Sequence, residues 1–364
     1  MSVAFITGIT GQDGSYLAEL LLEKGYRVHG LTRRTSNHQN LTRINHILTH
    51  PFLTLHVGDI TDTSALHMTL SSIWSSHKAT APVFEIYNLA AQSHVHQSFS
   101  MPEYTAKADG LGPLAIVDWV RLQSDHSKIR FYQASTSELF GKVQETPQSE
   151  RTAFYPRSPY GVAKLYAFWI IKNYRESYGI FATNGILFNH ESPRRGEDFV
   201  TRKITKGIAA IQNGKAQTLQ IGNLDARRDW GHARDYVEGM WRILQQPTPD
   251  DFVLATGEQH SVREFIECAY FIATGNKIRW AGSGVDEQGY DTVTDTLRIT
   301  INPAFFRPAE VETLVGNAEK AATILGWRPT TSFPELVGEM MDADSADFLD
   351  AHSKIESKAA KAST

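Results

Sequence analysis

One cysteine, Cys268, is all the thiol that the 364-residue sequence carries. An intrachain disulfide is excluded, and so is a cysteine-based metal site. The expectation is a reducing compartment such as the cytoplasm. No apolar run approaches the roughly 18 residues that a membrane-spanning helix needs, so no span is expected. The strand-like run at 3–7 follows the first residues with no charged leader region, which predicts no secretory signal. Asn40-Leu41-Thr42 fits a glycosylation sequon and reads as a chance match without such a signal. There is no long basic block, and the formal net charge is −4, so nucleic acid is not expected as the main partner. His94 and His96 suggest no third ligand, so no metal is expected.

What is present is an alternation. Strand-like runs at 3–7, 27–31, 53–57, 85–89 and 130–134 are separated by helix-like stretches at 14–24, 64–75 and 111–122. Ser158 and Pro159 open a further helix over 159–176 as N-cap and first helical residue, and a strand at 183–188 follows. Strands alternating with helices predict an α/β fold with a doubly wound parallel sheet. After residue 188 the texture turns polar and aperiodic. The expected organisation is a nucleotide-binding domain over 1–188 with return segments near 225–256. A smaller mixed α/β substrate-binding lobe occupies mainly 189–340, and 342–364 is a loosely ordered tail.

Gly8, Gly11 and Gly14 stand between the first strand and its helix, with Thr10, Gln12 and Asp13 among them. Small residues let a backbone approach a pyrophosphate, and a helix N-terminus offers N–H groups to it. The spacing is G-x-x-G-x-x-G, and such a turn can also close a strand–helix corner without any ligand. At the end of the second strand stand Arg33 and Arg34. An acidic residue there would suit NAD, whereas guanidinium groups suit the 2′-phosphate of NADP. Asp59 and Ile60 end the third strand, where the Asp either meets an adenine or caps a helix. Leu89, Ala90, Ala91, Gln92 and Ser93 follow the fourth strand, where the nicotinamide half of such a cofactor passes.

Tyr160 and Lys164 are four apart on a helix and share one face. An ammonium beside a phenol favours the phenolate, which can take a proton from a hydroxyl while a hydride leaves the same carbon. Thr136 can hydrogen-bond the same oxygen. Glu138 is two residues on, and on an extended backbone it would face the same side as Thr136. Oxidation to a ketone acidifies the neighbouring C–H. A carboxylate can take that proton and then help an oxygen leave as water. Glu138 can also be read as a salt-bridging or capping residue, and Ser135 and Ser137 have no assigned role.

These residues lie in longer motifs. They include Arg33-Arg-Thr-Ser, Asn88-Leu-Ala-Ala-Gln-Ser-His-Val, Gln133-Ala-Ser-Thr-Ser-Glu-Leu, Tyr155-Pro-Arg-Ser-Pro-Tyr-Gly and Gly222-Asn-Leu-Asp-Ala-Arg-Arg-Asp-Trp-Gly-His. Through them nearly the whole chain resembles the extended short-chain dehydrogenase/reductases, and among those the GDP-mannose 4,6-dehydratase family. The resemblance implies a Rossmann-type fold with NADP as cofactor and GDP-mannose as substrate. It implies Thr136, Glu138, Tyr160 and Lys164 as catalytic residues. It implies cofactor contacts from the Gly8 loop, Arg33, Asp59, Tyr104, Lys164, His190 and Arg195. Substrate contacts would come from Ser93, Asn189, Val200, Lys203, Arg228, Arg307 and Glu310, beside Thr136, Glu138 and Tyr160. A homo-oligomer, dimer or tetramer, is also implied, with the 33–40 loop reaching a neighbouring subunit.

Four other readings stay open. A dTDP-glucose 4,6-dehydratase usually has Thr-Asp-Glu where Thr136-Ser137-Glu138 stands. A sugar-nucleotide 4-epimerase has no need of Glu138. Secondary NADPH-dependent reduction of the 4-keto product would reuse Tyr160. A non-catalytic NADP-binding sensor could lose Tyr160, Lys164 or Glu138 freely, and all three are present.

Overall fold

Hydrophobic residues buried on both faces mark the strands of a parallel sheet. In strand β1, Val3–Thr7, all five residues are buried. The computed structural model, which describes residues 1–34, 38–306, 309, 311 and 313–346, pairs β1 with β2 (Arg27–Thr32) and β4 (Phe84–Asn88). Strands β3 (Leu53–Val57), β5 (Ile129–Thr136), β6 (Phe181–Leu187) and Phe252–Leu254 complete seven strands, all parallel, in the order 252–254, β6, β5, β4, β1, β2, β3. The order reverses between β1 and β4, and ligands of such sheets bind beyond the strands' carboxyl ends at that point.

The chain divides into two compact units. The first comprises Met1–His190, Gly231–Glu258 and Leu314–Thr330, and the second comprises Glu191–Trp230, Gln259–Thr313 and Thr331–Thr364. In the first, helix α1 (Gln12–Glu23) and helix Ala233–Leu244 contribute to one apolar cluster with Leu17, Leu21, Tyr236 and Met240. Helices Thr63–His77, Gly112–Arg121 and Pro159–Tyr178 contribute to another with Leu70, Trp74, Ile116 and Ile171. Leu314–Thr330, which the sequence suggests belongs to the second lobe, packs with the first unit. Its Val315 N–H donates to Gln148 Oε1 at 3.0 Å, and the buried Trp327 indole donates to Asp235 O at 2.8 Å. These partners lie 167 and 92 residues away in sequence, so no local pattern reports them.

The second unit has a four-stranded sheet of Ile278–Ala281, Gln288–Asp291, Leu297–Ile301 and Leu219–Ile221. Helices Val200–Gln212 and Val262–Thr274 belong to it, the latter opened by a reciprocal Ser261/Glu264 capping box. Arg202 pairs at 2.7 Å with Asp344, which is fully buried and also accepts from Thr205 at 2.6 Å. No helix among the described residues is long and apolar enough to cross a membrane. Arg307, Glu310, part of the 33–40 loop and the tail from 347 lie outside the described residues.

A chain of three imidazoles ties β2 to its surroundings. His29 Nδ1 lies 2.9 Å from His56 Nε2, and His29 Nε2 lies 3.3 Å from His77 Nε2. Burial, then the neighbouring His56, His77 and Arg27, lower the His29 pKa to about 4. A free histidine titrates near 6.5. The folded protein thus resists a proton that the unfolded chain accepts, so this stability is present above about 6.5 and lost as pH falls toward about 4. The urea midpoint should fall across that window, and His29→Gln should flatten the fall. An unaltered pH slope in the variant would remove His29 from the account.

Candidate active site

The glycine turn is fixed from inside. Gly8 has φ +70°, and a Cβ there would lie 2.9 Å from Ala90 N. A Cβ on Gly14 would lie 2.2 Å from Gly8 O, so both positions exclude larger residues. Gly11 differs, because a Cβ on it would meet Gly8 O at 3.2 Å and, among the described residues, nothing else within 4 Å. Gly11 is also the N-cap of α1 and brings no side chain to its first N–H groups. An open backbone at a helix N-terminus fits the pyrophosphate of a dinucleotide.

The ends of β1, β4 and β5 are in register, Thr7 with Asn88 and Asn88 with Gln133. Their buried side chains form a chain of bonds, Thr7 to Asn88 at 2.6 Å and Asn88 to Gln133 at 2.7 Å. Thr7 Oγ1 then accepts the N–H groups of Leu89 and Ala90, both at 3.0 Å. The 89–93 segment is thereby held beside the glycine turn, with Gln92 N–H bound to Asp109 at 2.7 Å. Thr7, Asn88, Gln133 and Asp109 were not marked by the sequence as site residues, since each pairing joins positions remote in the chain.

Further contacts surround this core. His190 Nε2 stands 2.8 Å from Asp13, and Gln12 donates to His190 O at 3.0 Å. Together they tie the start of α1 to the chain leaving β6. Arg33 donates to Tyr104 OH at 2.8 Å, which brings two expected cofactor residues together from positions 71 apart. Arg34 is exposed, Ile60 is buried, and Asp59 accepts the N–H and hydroxyl of Thr61 at 2.9 and 2.8 Å. Asp62, not Asp59, caps helix Thr63–His77.

Strand β5 delivers the chemistry. It ends at Thr136, and Ser137–Leu139 form a 3₁₀ turn. The expected extended run through Glu138 is therefore replaced by a turn, because the Thr136 hydroxyl accepts the Glu138 N–H at 3.2 Å and caps it. Thr136 and Glu138 are each 8% exposed. Helix Pro159–Tyr178 starts as the sequence predicts, with Ser158 accepting Gly161 N–H at 3.0 Å. Its first turn lies against the turn that bears Glu138, since a Cβ on Gly161 would come 3.0 Å from Glu138 O. Lys164 Nζ donates to Ala134 O at 3.1 Å and stands 5.8 Å from the Tyr160 ring centre. Burial lowers the Lys164 pKa and Asp109 opposes the shift.

The remaining expected residues are described within their own units. Asn189 is half-buried and opens the short strand Asn189–Glu191. In the second unit, Arg195 pairs with Glu191 at 3.0 Å and lies over the Phe199 ring. Val200 begins its helix. Lys203 Nζ sits 3.4 Å over the Phe305 ring, with its pKa lowered by burial against the pull of Asp198. Arg228 is buried and donates to Arg227 O at 2.9 Å.

Among solved structures, this architecture is shared across a class. A dTDP-glucose 4,6-dehydratase from Bacillus anthracis, in complex with NAD, superposes with a TM-score of 0.75 at 19% identity over 94% of this chain and 96% of that one. The Pseudomonas aeruginosa protein RMD, complexed with NADPH, gives 0.72 at 21% identity over 95% and 100%. The fold is the Rossmann-type doubly wound α/β sheet that these proteins share. Within that class the chain belongs to the GDP-mannose 4,6 dehydratase family, whose model matches residues 5–340. It is 56% identical over 351 residues to GDP-mannose 4,6 dehydratase 2 of Caenorhabditis elegans, covering 94% of this chain and 89% of the relative.

Proposed function

We propose that the protein is an NADP-dependent GDP-mannose 4,6-dehydratase, releasing GDP-4-dehydro-6-deoxy-mannose and water. The observation that carries this reading is the packing of the Glu138 turn on the first turn of the Tyr160–Lys164 helix. A base for a hydroxyl and a carboxylate for a C–H are thereby neighbours. Tyr160, assisted by the Lys164 ammonium, takes the proton of the sugar's O4, and Thr136 hydrogen-bonds that oxygen. A nicotinamide cofactor held by the Gly8–Gly14 turn and the 89–93 segment would supply the hydride chemistry, acceptance from C4 and return at C6. Glu138 takes the C5 proton, made acidic by the C4 ketone, and delivers a proton to O6 as it leaves as water. The proton that Tyr160 took from O4 is passed back to C5 when the hydride reaches C6, so protons as well as electrons balance and no cofactor is consumed. Lys203 and Arg228 are assigned to the substrate, as cations suited to a diphosphate. Asn189, Val200, Arg307 and Glu310 are assigned to it as well. Incubation with GDP-mannose, followed by mass spectrometry for loss of one water, tests the reading.

NADP rather than NAD is supported by Arg33, already oriented by Tyr104 OH, and by Arg34 beside it. Charge-assisted bonds are worth about 1.5–3 kcal/mol, so Arg33→Asp should weaken NADP binding by about 10- to 150-fold while NAD loses far less. Equal losses for both cofactors, measured by calorimetry, would exclude a 2′-phosphate contact.

A homo-oligomer is supported by an apolar stripe on helix Pro159–Tyr178. Val162, Tyr166 and Trp169 repeat at helical spacing and are 56%, 43% and 51% exposed. Trp169→Glu should reduce the mass found by light scattering. A mass unchanged by the substitution would place subunit contacts elsewhere.

A further inference from the structure

Lys164 is 3% exposed, and among the described residues a single carbonyl, Ala134 O, accepts from its ammonium. One neutral acceptor does not offset the loss of water around a full charge. Asp109 is the neighbour that opposes this loss. It is fully buried and lies in the π turn Ala106–Leu111, ahead of helix Gly112–Arg121. Such turns concentrate at functional positions. This one lies against the Tyr160–Lys164 helix, since a Cβ on Gly110 would come 3.5 Å from Ala163 O and 3.4 Å from the Tyr166 ring. Asp109 Oδ1 accepts Gln92 N–H at 2.7 Å, whereas Oδ2 is buried with no hydrogen-bond partner among the described residues. A carboxylate with an uncompensated oxygen and an ammonium with one weak acceptor thus occupy the same interior.

We propose that Asp109 is a positioning residue whose carboxylate is the counter-charge that keeps the buried Lys164 ammonium protonated beside Tyr160. Its effect on turnover rests on the dehydratase reading; the electrostatic pairing does not. The Ala134 carbonyl from β5 accepts from Lys164 and the Tyr160 ring stands beside it on the same helix, while Asp109, in the π turn packed on that helix, is the charge that acts on it. The Gln92 N–H is bonded to Asp109, and Lys164 is the charge that acts on it. Burial raises the Asp109 pKa to about 6, and Lys164 and Gln92 pull it back. Above that pH the carboxylate supports Lys164. Below it the carboxyl takes a proton and the ammonium loses its partner.

Asp109→Asn separates charge from structure, because the amide keeps an oxygen for Gln92 N–H. The full-length variant and wild type, carrying isotope-labelled lysine, are titrated by NMR with the Lys164 signal assigned through Lys164→Arg. The expected result is a Lys164 pKa lower by about one unit or more in Asp109→Asn, with kcat/KM for GDP-mannose about tenfold lower at neutral pH and its rising limb moved to higher pH. In wild type the Lys164 signal should show an inflection near pH 6, where Asp109 titrates. That second readout does not depend on the variant's folding. Identical Lys164 titrations, or no inflection in wild type, would overturn the proposal. Failure of wild type to dehydrate GDP-mannose would instead remove the function reading and leave the titration to decide the pairing.

Discussion

Glu138→Gln lowers dehydration turnover by about 10²- to 10⁴-fold and leaves cofactor affinity unchanged. The amide has the shape of the carboxyl, and the bond that forms the turn uses the Glu138 backbone N–H, which the substitution keeps. Only the ability to accept and return a proton is lost. Oxidation at C4 does not need that carboxylate. The variant should therefore show reduced-cofactor absorbance on mixing with GDP-mannose, because the hydride is removed but elimination stalls. Unchanged turnover would take Glu138 out of the mechanism. Lost turnover without reduced cofactor would move its role to an earlier step.

Tyr160→Phe has an effect of similar size, about 10²- to 10⁴-fold, but at the first step. The phenol oxygen is the base for O4, and phenylalanine keeps the ring while removing that oxygen. No reduced cofactor should accumulate, and C5 should not exchange with solvent deuterium, because no ketone forms to acidify it. Tyr160 and Lys164 share a helix face and Lys164 is pinned to Ala134 O, so the ring's surroundings persist in the variant. Reduced cofactor at the wild-type level in Tyr160→Phe would assign the base elsewhere. The two variants block the same net reaction and differ in where hydride is found, which distinguishes the roles in one stopped-flow experiment.

The parts of this arrangement that were readable in the sequence are those with a local signature. The alternation of β1 to β6 with helices, the glycine turn and the Ser158-Pro159 helix start depend on residues a few positions apart. The Glu138 turn has no local signature, because an extended backbone and a 3₁₀ turn are both open to Thr-Ser-Glu until the Thr136 hydroxyl captures the N–H. Asp109 carries no signal of its own in the sequence. In Lys107-Ala-Asp-Gly it looks like an exposed polar turn, and only the π turn buries it near Lys164. The return of Leu314–Thr330 to the first unit was likewise invisible, since Trp327 finds Asp235 only through tertiary packing.

The most direct test of the central claim is incubation of the purified protein with GDP-mannose and, separately, dTDP-glucose, with NADP present, followed by mass spectrometry. The account predicts loss of one water from GDP-mannose and none from dTDP-glucose. Loss of water from dTDP-glucose alone, or no change in either sugar nucleotide, would contradict it.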